Sequence, residues 1–315
     1  VNQGAGSTTT FGAAVATNTG GITAAGAGIT TFNGAITGAG PLTKSGVGTL
    51  NLNAVNSGFT GAVNINDGVL RIGVQDALNT SAAVRLGTGA TGGTLDLNGF
   101  NQTIGTLTAQ TNSTTAVNNI MVTSGNTLTI NGSVTLGADL ASSTTSVTAT
   151  GGVAIVVNSG GANFQVGGAT GGTNANTVNV DFSALSSFTA NLGAGTFRLG
   201  DNNTGTGVDP TSMKLASASS SATNTITAAT VRIGDGSGAS STHTLTLGQG
   251  TNTINANTIN VGSAGSTIRS SGAVVFDAAD TTGTLTVRAS NGTDRAVLNV
   301  INTTGNTAGD MDSTI

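Results

Sequence analysis

A short phrase recurs along the chain and limits what it can fold into. It consists of a small or turn-forming residue, then Thr or Val, then aliphatic–x–aliphatic. Copies are Gly48-Thr49-Leu50-Asn51-Leu52, Gly68-Val69-Leu70-Arg71-Ile72, Gly93-Thr94-Leu95-Asp96-Leu97 and Asn126-Thr127-Leu128-Thr129-Ile130. Later copies are Gly195-Thr196-Phe197-Arg198-Leu199, His243-Thr244-Leu245-Thr246-Leu247 and Gly283-Thr284-Leu285-Thr286-Val287. Alternation of this kind makes a strand with one apolar face. A strand so short cannot bury that face alone, so equivalent strands must stack. The first three steps, Gly48 to Gly68, Gly68 to Gly93 and Gly93 to Asn126, grow progressively longer, so the period is loose.

A longer echo points the same way. Residues 225–234 read TITAATVRIG and residues 253–262 read TINANTINVG. The apolar positions match while the polar letters between them drift, as expected of inward and outward sides of stacked strands. The expected architecture is an all-β parallel β-helix, a β-solenoid with irregular coils of roughly 20–25 residues. That coil length implies roughly 12–15 coils and a body ~60–70 Å long at the ~4.8 Å strand spacing. Asn at equivalent corners is positioned to form amide ladders between coils. A β-sandwich is the rival. It calls for hairpins at regular short spacing and usually for buried aromatics, whereas the 315 residues hold 9 Phe and no Tyr or Trp.

Composition removes several function classes. There is no Cys and one His, so disulfides, thiolate chemistry and a three-histidine metal site within the chain are excluded. Nine basic residues against 13 acidic ones, all Asp, give a net charge of −4 and a poor nucleic-acid binder. The longest aliphatic run, residues 153–157, is far short of the ~20 residues a membrane helix needs. A start at Val1 rather than Met accords with a leader already removed, and the absence of Cys fits export.

The most specific stretch is residues 38–72, GAGPLTKSGVGTLNLNAVNSGFTGAVNINDGVLRI. Its Gly38, Gly40, Leu42, Lys44, Gly46, Gly48, Thr49, Leu50 and Leu52 are followed by Asn56, Phe59, Thr60, Gly61, Gly68, Leu70 and Ile72. This pattern resembles the passenger-associated repeat of bacterial autotransporters, with Phe59 where that family usually has Tyr. The segment 95–104 resembles the turn that often follows the repeat. The resemblance implies a right-handed parallel β-helix on an exported bacterial surface protein and is nearly silent on activity. Leu42, Leu50, Leu52, Leu70 and Ile72 are expected inside. Lys44 is expected to be an outward or corner cation that hydrogen-bonds a neighbouring loop carbonyl.

Candidate chemistry is sparse. His243 precedes a strand phrase with no strained nucleophile elbow beside it and reads as a solvated or corner residue. The acidic pairs Asp277/Asp280 and Asp310/Asp312 have no base nearby in sequence, and Asp181 and Asp201 meet only if they lie one coil apart. Residues 201–205 alternate oxygen ligands but lack the Glu that completes a calcium loop, and residues 233–236 give one weak echo of a Gly-rich calcium repeat. The glycine pairs at 160–161, 167–168 and 171–172 read as corners. Thr223, Thr225 and Thr227 have the spacing of an ice-binding threonine row, against which the irregular coil length argues. No catalytic, cofactor-binding or metal-binding residue is therefore expected.

The chain 1–315 is read as a single solenoid with a projecting loop or joint at 201–221. Its expected role is that of a non-enzymatic surface protein, a stiff stalk, adhesin-like passenger or filament segment. The alternative is a β-helix enzyme or binder acting on polysaccharide. Expected partners are further copies stacked end to end, or a surface glycan or cell-surface receptor, with no nucleic acid and no membrane insertion by this segment. The expected location is extracellular or on the bacterial surface.

Overall fold

A computed structural model describes residues 1–111, 113–123, 125–137, 144–152, 154–167, 176–200, 210–234, 241–264, 269–277, 280–301 and 314–315. Within them the chain is a parallel β-helix with no helical segment. Strands stack in three ladders. Ladder one runs through eleven parallel rungs from Thr8–Phe11 to Arg269–Phe276 and includes Thr49–Leu52, Gly68–Ile72 and Gly93–Asp96. Ladder two runs from Asn2–Gln3 through Leu42–Lys44 and Thr196–Leu199 to Val297–Val300. Ladder three, continuous from Gln102–Ile104 to Thr284–Arg288, is preceded by the small pair Val15–Ala16 and Ile36–Thr37. Strands Thr223–Ile233 and Thr251–Val261 are long enough to serve ladders three and two in turn. Among the described residues the one antiparallel pairing between strands joins Ser263–Ala264 to Arg269–Phe276.

The phrase residues behave as their alternation requires. Leu50 pairs with Leu70, Leu70 with Leu95 and Leu95 with Ile120, and all four are fully buried. Each coil thus supplies one aliphatic layer to an interior that no single coil could close. Phenylalanines stack in the same register. The rings of Phe164 and Phe197 stack nearly parallel with centroids 4.9 Å apart, as do those of Phe11 and Phe32 at 4.7 Å.

Coil length departs from expectation. Early steps on ladder one are short, Thr49 pairing with Val69 and Gly68 with Gly93. Later ones lengthen, with Thr144 pairing Thr177. Among the described residues the eleven rungs of ladder one span ~48 Å and the twelve of ladder two ~53 Å at ~4.8 Å each, at the low end of the coil number read from sequence. The phrase marks strands rather than coils. Leu128, in the fourth copy, sits on ladder three, and Phe197 sits on ladder two. The echo between residues 225–234 and 253–262, in contrast, is a true coil step, since Thr225 pairs with Thr253 and Ile226 with Ile254.

Asparagine ladders form inside and out. Buried Asn224 donates to Asn252 Oδ1 at 2.9 Å, and Asn53 donates to Asn33 at 2.9 Å on the surface. Of the stretch 201–221, residues 201–209 lie outside the described residues. Thr211–Lys214 is a rung of ladder one, so that part is coil rather than projection.

Candidate functional site

The corner that follows ladder one in the upper coils encloses a cleft of about 160 Å³. Its lining includes Ser183, Lys214, Thr246, Gln249, Asp277 and Asp280. Register assembles it: Asp181 pairs with Lys214 and Lys214 with Thr246, which places these side chains outward in one column. Asp277 and Asp280 follow the last rung. Lys214 Nζ stands 4.0 Å from Asp277 Oδ2, both side chains being about half exposed. An exposed pair at that distance contributes little to stability, and both side chains stay within reach of a ligand.

Hydrogen bonds within the corner fix the other groups. Asp280 Oδ1 accepts from the amides of Thr282 (2.9 Å) and Gly283 (3.1 Å). Asp280 Oδ2 is shielded and has no hydrogen-bond partner among the described residues. Gln249 Nε2 donates to the Ser217 carbonyl at 2.7 Å, and Asp181 accepts from the amide of Ser183 at 2.9 Å. A cation, carboxylates, hydroxyls and an amide around one cleft suit a polyhydroxylated ligand. The pair Asp277/Asp280, without a base nearby in sequence, gains Lys214 through coil stacking. Sequence spacing misses this because the partner comes from two rungs below. Asp201, Asp310 and Asp312 lie outside the described residues, as do residues 201–205, 235–236, 168 and 171–172.

His243 is neither solvated nor at a corner. It is fully buried on ladder one, directly above Thr211, whose Oγ1 lies 2.9 Å from its Nδ1. The reason is parity: His243 shares the inward face with Leu245 and Leu247 of Ser241–Leu247. Burial pushes its pKa down to about 4. Sealed in the stack, it has no access to substrate.

Lys44 is the corner cation of the two expected forms, bonded to loop carbonyls. It points inward and is 2% exposed, not outward. Its ammonium turns to the corner and donates to the carbonyls of Ser45 (3.0 Å), Gly46 and Asp67 (3.3 Å). Burial lowers its pKa, and the Asp67 carboxylate partly opposes that shift. Gly68, at φ +67°, makes room for it: a Cβ there would lie 2.8 Å from Nζ and closer still to two carbonyl oxygens. The spaced Lys, Gly and Asp-Gly of residues 44–68 are thus one clamp between successive coils.

Among the described residues no three His, Asp, Glu or Cys side chains cluster to hold a metal ion. Residues 42–72 match the family described as passenger-associated-transport-repeat. Those residues carry the Lys44 clamp and two rungs of the ladder-one core. The repeat is that of autotransporter passengers, which implies a secreted or cell-surface setting. No curated protein and no solved structure matches the chain.

Proposed function

We propose that this chain, which carries a passenger-associated-transport repeat at residues 42–72, is a displayed passenger segment that works as a stiff spacer and adhesin-like surface. The observation that carries the reading is that the repeat forms rungs of an unbroken eleven-rung ladder. A stack in which every coil rests on its neighbours resists bending and presents outward side chains in fixed rows. The ladder-one cleft offers a glycan or a receptor a mixed-charge contact through Lys214, Asp277 and Asp280. The test is surface labelling of the native precursor in intact bacteria, with binding of the purified chain to glycan and host-cell arrays. Accessibility to external protease and binding without turnover are expected. Retention of the chain inside the cell overturns the reading.

Stacking of copies end to end belongs to the same proposal. On the rung Val297–Val300, Val297, Leu298 and Val300 are 44–56% exposed, an apolar edge suited to a following coil of a second copy or of a longer chain. Electron microscopy at high concentration is expected to show filaments, and isolated particles alone count against it.

The rival reading, an enzyme acting on polysaccharide, draws on the juxtaposition of Lys214, Asp277 and Asp280. A depolymerisation screen with and without Ca²⁺ separates the two. Release of oligosaccharides that is lost in Asp280→Asn favours the enzyme.

A further inference from the structure

The outward face of ladder three differs from the other two. Its central column aligns Thr103 with Thr129, then Val156, Thr189, Thr225, Thr253 and Thr286 on successive rungs. In the upper four rungs a second column runs beside it, formed by Ser187, Thr223, Thr251 and Thr284. On the other side Asn158, Asn191, Thr227 and Asn255 make a third. The sequence step within the central column varies, being shorter from Thr103 to Thr129 than from Thr189 to Thr225. The pairing register along the column holds whatever the step, so irregular coil length does not break the column as the sequence alone suggests.

The grid is regular and stiff. Hydroxyls repeat at ~4.8 Å up the ladder and ~6.7 Å along each strand. Beneath it Phe188, Ile226 and Ile254 are buried, so the strands are held from below. Threonine has few χ1 choices on a strand. Among the described residues no protein group takes up the hydroxyls of Thr189, Thr225, Thr253 or Thr286.

Charge separates the faces. Ladder one carries Arg71, Asp96, Asp181 and Lys214 outward, and ladder two carries Arg85, Arg198 and Arg232. The three columns of ladder three have no charged residue until Arg288 on the last rung. They hold no aromatic ring on which a sugar could stack. A charged ligand finds no counter-charge there. Water finds a lattice of hydroxyls, each one donor and two acceptors, interleaved with methyl groups that do not compete for it.

We infer that the outer face of ladder three binds ice: the threonine grid orders a first water layer that joins a growing crystal. This does not rest on display of the chain at a cell surface. The experiment grows ice slowly from a solution of the intact purified chain, labelled with a fluorophore, and measures protein in the ice against protein left in the liquid. Crystal habit is recorded under a microscope. Enrichment in ice and faceted crystals are expected. Thr225→Lys/Thr253→Lys, which places two charges in the grid, is expected to lose both. Thr135→Lys, on the outward face of ladder two, is expected to keep both. Circular dichroism checks that each variant folds, and Thr253→Ser, which keeps the hydroxyl and removes the methyl, serves as a milder second variant expected to weaken enrichment. Exclusion of the wild-type chain from ice overturns the inference. So does enrichment that survives the double variant. Retention on crystalline cellulose or chitin with no ice enrichment assigns the face to a glycan instead and equally overturns it.

Discussion

Lys44 and His243 are polar side chains placed where the aliphatic column should be, and each carries a measurable consequence. Lys44 is tolerated because its ammonium reaches three carbonyls at the coil corner. Lys44→Met fits the apolar stem but strips those carbonyls of their donor, at a cost of about 2–3 kcal/mol. A denaturant titration with the midpoint unchanged would refute the clamp. His243 is tolerated because it stays neutral. Its folded pKa of about 4 lies below the 6.5 of an exposed imidazole. Between those values the unfolded chain binds a proton that the folded chain refuses, so stability is complete above about pH 6.5 and falls as pH drops toward 4. The loss is on the order of 3 kcal/mol. His243→Leu should flatten that part of the wild-type curve, and unfolding free energies measured from pH 7 to 4 decide it. Identical slopes in the two proteins would remove the histidine from the account.

At the scale of elements, buried amides do what the short strands cannot. Asn252 Oδ1 accepts from the Gly248 amide at 3.0 Å and from Asn224, while its Nδ2 donates to the carbonyls of Gly248 (2.8 Å) and Thr284 (3.1 Å). One side chain thereby satisfies a corner and ties it to the next coil. Asn252→Ala should cost about 2–4 kcal/mol, since donor and acceptors are left buried together. Hydrogen exchange at Gly248 should accelerate well before that of distant rungs, and uniform protection across the chain would argue against it. How much of this is legible follows from what a strand phrase encodes. It fixes parity, so Leu50, Leu52, Leu70 and Ile72 are inside as read. It does not encode which ladder a strand joins, because all three ladders use the same alternation. Counting Leu128 with Leu95 as one series therefore makes that coil look longer than it is, since the rung above Leu95 is Ile120. Parity also places His243 inside, but a phrase that begins at that residue hides its two-residue offset from Leu245. The Lys214–Asp277 approach is not legible at all. It depends on corner lengths, which no local pattern specifies.

For the molecule as a whole, the claim that coils are interchangeable layers can be tested by removing one. Thr225 pairs with Thr253, so excision of 226–253, a full coil, joins Thr225 to Ile254 in register. Each ladder then loses a rung: strand Thr211–Lys214 meets Arg269–Phe276, with Met213 below Val274 in place of Leu245. The shortened chain should unfold cooperatively and measure one strand spacing, ~4.8 Å, shorter along its axis. Excision of 226–252, which leaves one position more in place, joins Thr225 to Thr253 and shifts every following position by one. A single-residue slip sends an entire strand's inward set outward, so Ile254 and Ile259, both now buried, would face solvent. That variant should lose protection through the last coils and bind hydrophobic dyes. Small-angle scattering with hydrogen exchange on both variants distinguishes the outcomes. Equal stability of the two would mean that the corners absorb parity freely, and the layered column of aliphatic side chains would no longer account for the fold.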